Sequence, residues 1–292
     1  MSTPRARSGT DEQGRGRELR RPPAPEPLPL EVIDNHTHLD VADSDDSADV
    51  EDLLAAAARA GVGRAVQIGC DLPAARWTVG VLDEHPQLLG GIALHPNEAP
   101  SLAEAGELDQ AIEEIRSLAA HPRVRVIGET GLDYFRTPPA GVAAQQESFR
   151  RHIRLAHETG LALQIHDRDA HADVLRILRE EGAPERTVFH CFSGDAAMAR
   201  ECSEAGYYLS FSGTVTFKNA GPLREALRAA APDRLLVETD APFLTPTPYR
   251  GRPNASYLIP LTVRSMAETL GADLEELCAR LTSATEDVYG PW

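Results

Sequence analysis

Hydrophobic positions recur along the chain in two alternating textures. Short runs dense in Val, Ile and Leu are each followed, after a turn, by a longer stretch in which apolar residues return every three or four positions. A continuous apolar run bounded by turn residues suits a strand buried on both faces, and the longer spacing suits a helix with one buried side. The runs predict strands over 28–36, 64–69, 88–95, 124–129, 161–166, 187–190, 207–211 and 235–239. The stretches between them predict helices over 49–61 (capped by Ser47 or Asp49), 73–85, 102–120, 143–160, 170–182, 195–206 and 222–230. Gly160 is expected to stop its helix, and two further helices, 257–270 and 274–289, close the chain. About eight strand–helix repeats within roughly 260 residues match an α/β fold of the (β/α)8 TIM-barrel type. A doubly wound open sheet is the alternative, weakened because no G-x-G-x-x-G follows any strand.

Residues 29–292 thus form one expected domain. Residues 1–28 differ: they are rich in Arg, Pro, Gly and Ser and nearly free of large apolar groups. Such a segment buries too little surface to offset its ordering entropy, so a disordered Arg/Pro-rich tail is expected. Its removal is expected to leave the melting temperature nearly unchanged. Arg5, Arg7, Arg15, Arg17, Arg20 and Arg21 make it the one basic region of a chain whose net charge is −16. That charge argues against a broad basic coat for nucleic acid but leaves room for a few arginines around a site. The acidic group after the first strand, Asp40, Asp43, Asp45, Asp46 and Asp49, reads as a solvated loop.

No apolar run is long enough for a membrane span, so no membrane is expected as a partner. Cys70, Cys191, Cys202 and Cys278 contain no C-x-x-C pair and read as reduced thiols of a cytoplasmic protein, mostly core filler.

The first strand ends in His36-Thr37-His38, two imidazoles that share a face if the backbone is extended. Alone, such a pair means little. Here Glu129, His166, His190 and Asp240 each close a later apolar run, so in a barrel all six side chains converge at the carboxyl ends of the strands. Carboxylates gathered there are costly unless cations neutralise them, which points to metal. Four imidazoles and two carboxylates exceed what one tetrahedral ion needs, whereas two divalent ions bridged by Glu129 use them all. His36, His38 and Asp240 would hold one ion and His166 with His190 the other. A two-ion site suits hydrolysis of phosphate esters, with Glu129 and Asp240 as the catalytic carboxylates and Asp240 also able to accept a proton from water. Glu238, two residues before Asp240, is expected to steady a ligand rather than to be one.

These residues sit in stretches that resemble the TatD family of metal-dependent deoxyribonucleases, within the amidohydrolase superfamily. The stretches are Asp34-Asn35-His36-Thr37-His38-Leu39-Asp40, Ala93-Leu94-His95-Pro96, Ile127-Gly128-Glu129-Thr130-Gly131-Leu132-Asp133-Tyr134, His190-Cys191-Phe192-Ser193-Gly194, Ser212-Gly213-Thr214-Val215-Thr216-Phe217-Lys218, Glu238-Thr239-Asp240-Ala241-Pro242-Phe243-Leu244 and Arg250-Gly251-Arg252. The resemblance implies the same barrel and ligand set, two divalent ions (Mg, Mn or Zn), and trimming of single-stranded DNA from its 3′ end, with no stable protein partner. It also brings in His95 as a substrate contact. Two departures stand out: Asn97 where relatives often carry a second histidine, and Asn254-Ala255-Ser256 where they often have Asn-Glu-Pro. Both bear on substrate contact rather than on metal.

The superfamily also hydrolyses other esters and amides, D-aminoacyl-tRNA among them, and a metal-stabilised binding module without catalysis stays open. A phosphodiester needs cations near the metals. Arg136, Arg168, Lys218, Arg250 and Arg252 lie in the loops where they would be wanted, and Arg168, Lys218 and Arg252 are expected to contact substrate.

Overall fold

The computed structural model describes residues 5–10, 16–43 and 48–292. Eight parallel strands follow one another around a barrel: β1 (Val32–Thr37), β2 (Val62–Gly69), β3 (Leu88–Ile92), β4 (Val124–Asp133), β5 (Ala162–Arg168), β6 (Thr187–Phe189), β7 (Tyr208–Phe211) and β8 (Leu235–Val237). Sequential neighbours pair from β1 to β8. The ring closes just beyond β8, where the Asp240 amide donates to His36 O at 2.9 Å and the His38 amide to Ala241 O at 2.8 Å. This is a (β/α)8 TIM barrel.

The strands are apolar on both faces because both faces are covered. Ala65, Leu88, Ile127, Leu163 and Leu209 face the helices, while Val66, Ile68, Leu89, Val126, Val188 and Leu236 fill the barrel together with Val288 and Tyr289. Ten helices surround it: α1 (Val50–Arg59), α2 (Leu72–Glu84), α3 (Ala99–Glu104), α4 (Leu108–Leu118), α5 (Val142–Thr159), α6 (His171–Glu181), α7 (Ala196–Glu204), α8 (Gly221–Ala229), α9 (Ile259–Leu270) and α10 (Leu274–Tyr289). Asp49, Asp71, Asp195 and Asp273 accept amide hydrogens at the starts of α1, α2, α7 and α10, and Gly160 ends α5 in the left-handed region. The single helix expected over 102–120 is two, because Gly106 turns left-handed (φ +72°) between α3 and α4.

Described parts of the segment 1–28 depart from the expectation of a disordered tail. Arg5–Ala6 pairs in parallel with Val41–Ala42. Tyr257 Oη donates to Pro22 O at 2.6 Å, Arg252 donates to Arg20 O and Arg21 O at 2.9 and 2.7 Å, and Leu28 is buried. The acidic loop is correspondingly solvated only in part where it is described, Asp49 being exposed. Asp40 and Asp43 are buried, Asp40 pairing with Arg5 and Asp43 with Arg7 and Arg17. Asp45 and Asp46, like Arg15, lie outside the described residues. Composition misled here because it weighs a segment's own apolar surface, whereas this arm is held through its carbonyls and by opposite charge. Deleting residues 1–27 is therefore expected to cost about 3 kcal/mol, a drop of roughly 6–12 °C in melting temperature. An unchanged calorimetric transition would show that the arm adds nothing to stability.

One buried histidine outside the strand ends carries a pH signature. His152 on α5 donates from Nδ1 to Ser148 O (2.8 Å) and accepts the Leu94 amide at Nε2 (3.1 Å). Burial pulls it down to about 4 from the usual 6.5. The folded chain therefore favours the neutral ring, and the unfolded chain takes up the proton first as pH falls. Stability is lost as pH drops through 6.5 toward 4, by about 3 kcal/mol over the window. Urea unfolding of His152→Gln at about pH 7.5 and 4.5 should show a shallower pH dependence than the parent. An equal slope in both proteins would remove His152 from the account.

Candidate metal centre

Each strand delivers its side chain to the same mouth, but not always from its last residue. β4 continues past Glu129 to Asp133, with a register shift against β5 between Ile127 and Thr130. Such a bulge re-aims a side chain, and here it turns Glu129 into the barrel. Gly131 beside it has φ +133°, and a Cβ there would lie 2.1 Å from His166 O, so only glycine fits. β5 likewise runs two residues beyond His166, to Arg168. Asp240 follows β8 with φ +55°, a conformation L-residues seldom adopt, and its amide is tied to His36 O.

Around Glu129 the distances fall into two groups. Its Oε1 lies 3.7 Å from His36 Nε2 and 3.7 Å from His38 Nε2. Those two nitrogens are 3.0 Å apart, and Asp240 Oδ1 lies 3.6 and 3.2 Å from them. A tetrahedral ion with bonds near 2.1 Å separates its ligands by about 3.4 Å, so these four donors suit one ion. The other carboxylate oxygen, Oε2, lies 2.8 Å from His190 Nε2 and 3.0 Å from His166 Nδ1. Three protein donors there leave coordination positions for water or substrate.

Partners behind the rings decide which nitrogen is offered. His36 Nδ1 donates to Gln164 Oε1 (2.7 Å), His38 Nδ1 to Ile68 O (3.0 Å) and His190 Nδ1 to Glu238 Oε1 (3.2 Å). With Nδ1 so engaged, each ring turns Nε2 toward the centre, where a bound cation would take the place of any proton on it. His166 is reversed: Nε2 faces Asp133 Oδ2 (3.3 Å) and Nδ1 faces Glu129. Glu238 is fully buried and also accepts the Cys191 amide at 2.9 Å.

Charge follows from crowding. Burial opposes charging of His38, yet Asp240 and then Glu129 lift it to about 9. Burial and the neighbouring His190 hold His36 well below the usual histidine range. His190 is driven well above it against burial, by Glu129 and Glu238. Glu129 is held well below the carboxylate range, burial notwithstanding, chiefly by His190 and His95. A carboxylate that stays ionised among several imidazoles, some of them neutral, is the electrostatic state of a cation site.

Of the expected substrate contacts, His95 and Arg168 line the pocket of about 540 Å³ above these groups, and Arg168 stacks 3.8 Å from the Phe135 ring centroid. Lys218 is exposed and lines neither this pocket nor the cleft beside it. Arg252 lines the cleft, with its guanidinium on the arm's carbonyls.

Several residues went unforeseen. Asp133 forms a further cluster with His95 and His166, and burial notwithstanding, His166 draws it down to about 2. Its spacing of four from Glu129 was the available signal. The side-chain amide nitrogen of Asn97, one of the two departures, lies 3.4 Å from Asp133 Oδ2. Cys70 is not core filler: its Sγ lies 3.1 Å from Glu129 Oε1, and burial, followed by that charge, keeps it a thiol. Cys191 packs beside His190 with its Sγ on Ser212 Oγ (3.3 Å), whereas Cys202 and Cys278 are buried in the core.

The model of the family described as TatD related DNase matches residues 33–290. A Mycobacterium tuberculosis protein named "uncharacterized metal-dependent hydrolase TatD" is 45% identical over 263 residues, covering 89% of this chain and 98% of its own length. Bacillus subtilis YabD, named as a metal-dependent hydrolase in the same terms, is 37% identical over 260 residues, covering 88% and 98%. Among solved structures, Escherichia coli YjjV, a TatD homologue, aligns with TM-score 0.79 at 26% identity over 89% of this chain and 98% of its own. All six residues gathered at the mouth lie inside the matched stretch, and with a family match across nearly the whole barrel the chain belongs to the TatD-related DNase family.

Proposed function

We propose that this chain, a metal-dependent hydrolase of the TatD family, cleaves phosphodiester bonds of single-stranded DNA from the 3′ end with two divalent ions. The observation that carries the reading is the division of Glu129, whose two oxygens face two separate histidine pairs. His36, His38, Asp240 and Glu129 Oε1 would hold one ion, and Glu129 Oε2, His166 and His190 the other. Mg, Mn or Zn so held supplies Lewis acidity at the scissile phosphate and eases deprotonation of the attacking water. Asp240 takes that proton on its carboxylate. Gln164, Glu238 and the Ile68 carbonyl keep the imidazoles in their working tautomers, and Arg168 at the rim orients the phosphate. As bonds change, water oxygen attaches to phosphorus, the P–O ester bond breaks, and the leaving alkoxide oxygen takes up the proton that Asp240 accepted, directly or through solvent. A reducing cytoplasm suits the four free cysteines.

Metal analysis beside hydrolysis of 3′- and 5′-labelled single-stranded DNA tests the reading. About two ions per chain with shortening from the 3′ end supports it; hydrolysis confined to carboxylic esters or amides sinks it. Glu238→Gln should weaken metal retention about tenfold or more, because His190 loses the charge behind it. Chelator competition reads this directly, and unchanged retention would make Glu238 a fold residue alone.

A further inference from the structure

The family match begins at residue 33, so the arm is added upstream of everything the match covers. Its path is nevertheless set by the mouth of the metal pocket. The Arg7 amide donates to Ala42 O at 2.8 Å, which fixes the backbone. The Arg7 side chain then reaches Asp43 Oδ2 (2.8 Å) and Pro242 O (3.3 Å) with its guanidinium 4.4 Å from the Phe243 ring centroid. It lines the metal pocket beside His38, Glu129 and Asp240, and keeps 31% of its side chain accessible. Arg17 grips the same Asp43 at 2.5 and 2.6 Å. Arg7 and Arg17 thus share one buried carboxylate at the rim.

Beyond Arg7 the pocket continues into a cleft of about 1070 Å³ that shares Arg7, Arg136, Phe243 and Leu244 with it. Among the described residues the cleft is lined by Arg7, Arg17, Arg136, Arg250 and Arg252, with Glu18 the one acid. In a chain of net charge −16 that excess of cations is a local arrangement and not background. Arg250 is exposed and positioned 4.3 Å from the Phe217 ring centroid.

We propose that the N-terminal arm completes the substrate site: Arg7, with Arg136 and Arg250, holds phosphates of a single nucleic-acid strand that leaves the metal pocket through this cleft. The inference rests on the phosphodiester reading above. Arg17 acts as a positioning residue through Asp43, and Arg252 through the arm's carbonyls.

The test uses the full chain loaded with metal and a fluorescent phosphorothioate oligodeoxynucleotide of roughly 12 nucleotides, long enough to fill a groove of this kind. Anisotropy is followed between about 50 and 200 mM salt, beside hydrolysis of bis(p-nitrophenyl) phosphate by the parent protein. Arg7→Gln should weaken binding about tenfold and flatten the log–log salt slope by about 0.7. Arg250→Gln, at an exposed position that does not anchor the arm, should flatten the slope by a similar amount, and Arg7→Lys should recover part of the loss. If the parent binds the strand and both glutamine variants bind with its affinity and slope, the arm inference fails while the phosphodiester reading stands. Tighter binding by Arg7→Gln would make the arm an obstruction and overturn the inference too. A parent protein that neither hydrolyses the small diester nor binds the strand would remove the phosphodiester reading and the arm's role together.

Discussion

Glu129→Gln should lower bound metal from about two ions per chain to one or fewer and reduce kcat by about a thousandfold or more. The amide keeps the shape of the side chain but offers one oxygen in place of two and carries no charge. One of the two histidine pairs, His36 with His38 or His166 with His190, then loses the oxygen that faces it. An amide nitrogen turned toward either pair is a donor where an acceptor is needed. Several kcal/mol of charge stabilisation at the reacting phosphate go with the ion, which sets the magnitude. Metal content by mass spectrometry and turnover of a phosphodiester should fall together. Two ions retained with near-normal turnover would show that Glu129 does not bridge.

Asp240→Asn should behave differently. His36, His38 and Glu129 remain to hold the first ion, so metal content should fall less than in Glu129→Gln. Turnover should still drop about 10²–10⁴-fold, because the group placed to take the proton from water is gone. Added metal separates the two roles of the residue. Turnover restored by excess ion would make Asp240 a ligand only; turnover that stays low at full occupancy supports the proton role. The left-handed backbone at Asp240 makes a substitution by asparagine the mildest available, since asparagine tolerates that region better than most residues.

The reach of the sequence was uneven, and the reasons differ by residue. His36, His38, Glu129, His166, His190 and Asp240 were legible because strand ends in a parallel barrel share one rim, so local position along each run already implies proximity. Asp133 was hidden by the bulge at Gly128 and Glu129, since the strand was read as ending where its apolar run ends. Cys70 was hidden because a lone cysteine at the end of an apolar run looks the same in a core as beside a carboxylate. Arg252 and Lys218 were placed by loop membership alone, and loop paths depend on what they pack against.

The sequence by itself determined the barrel, its order of strands and which side chains gather at its mouth, because apolar spacing and side-chain type act within a few residues of each other. Tertiary structure alone decided which oxygen of Glu129 faces which histidine pair, the nitrogen each ring turns to the centre, and the course of the arm's described residues. Those depend on contacts between residues far apart in the chain: Gln164 with His36, Glu238 with His190, Arg7 and Arg17 with Asp43. An arm nearly free of large apolar side chains looks unfoldable from its own composition. Its described residues are held by charges and carbonyl acceptors whose partners lie on the finished barrel, and no local pattern encodes them.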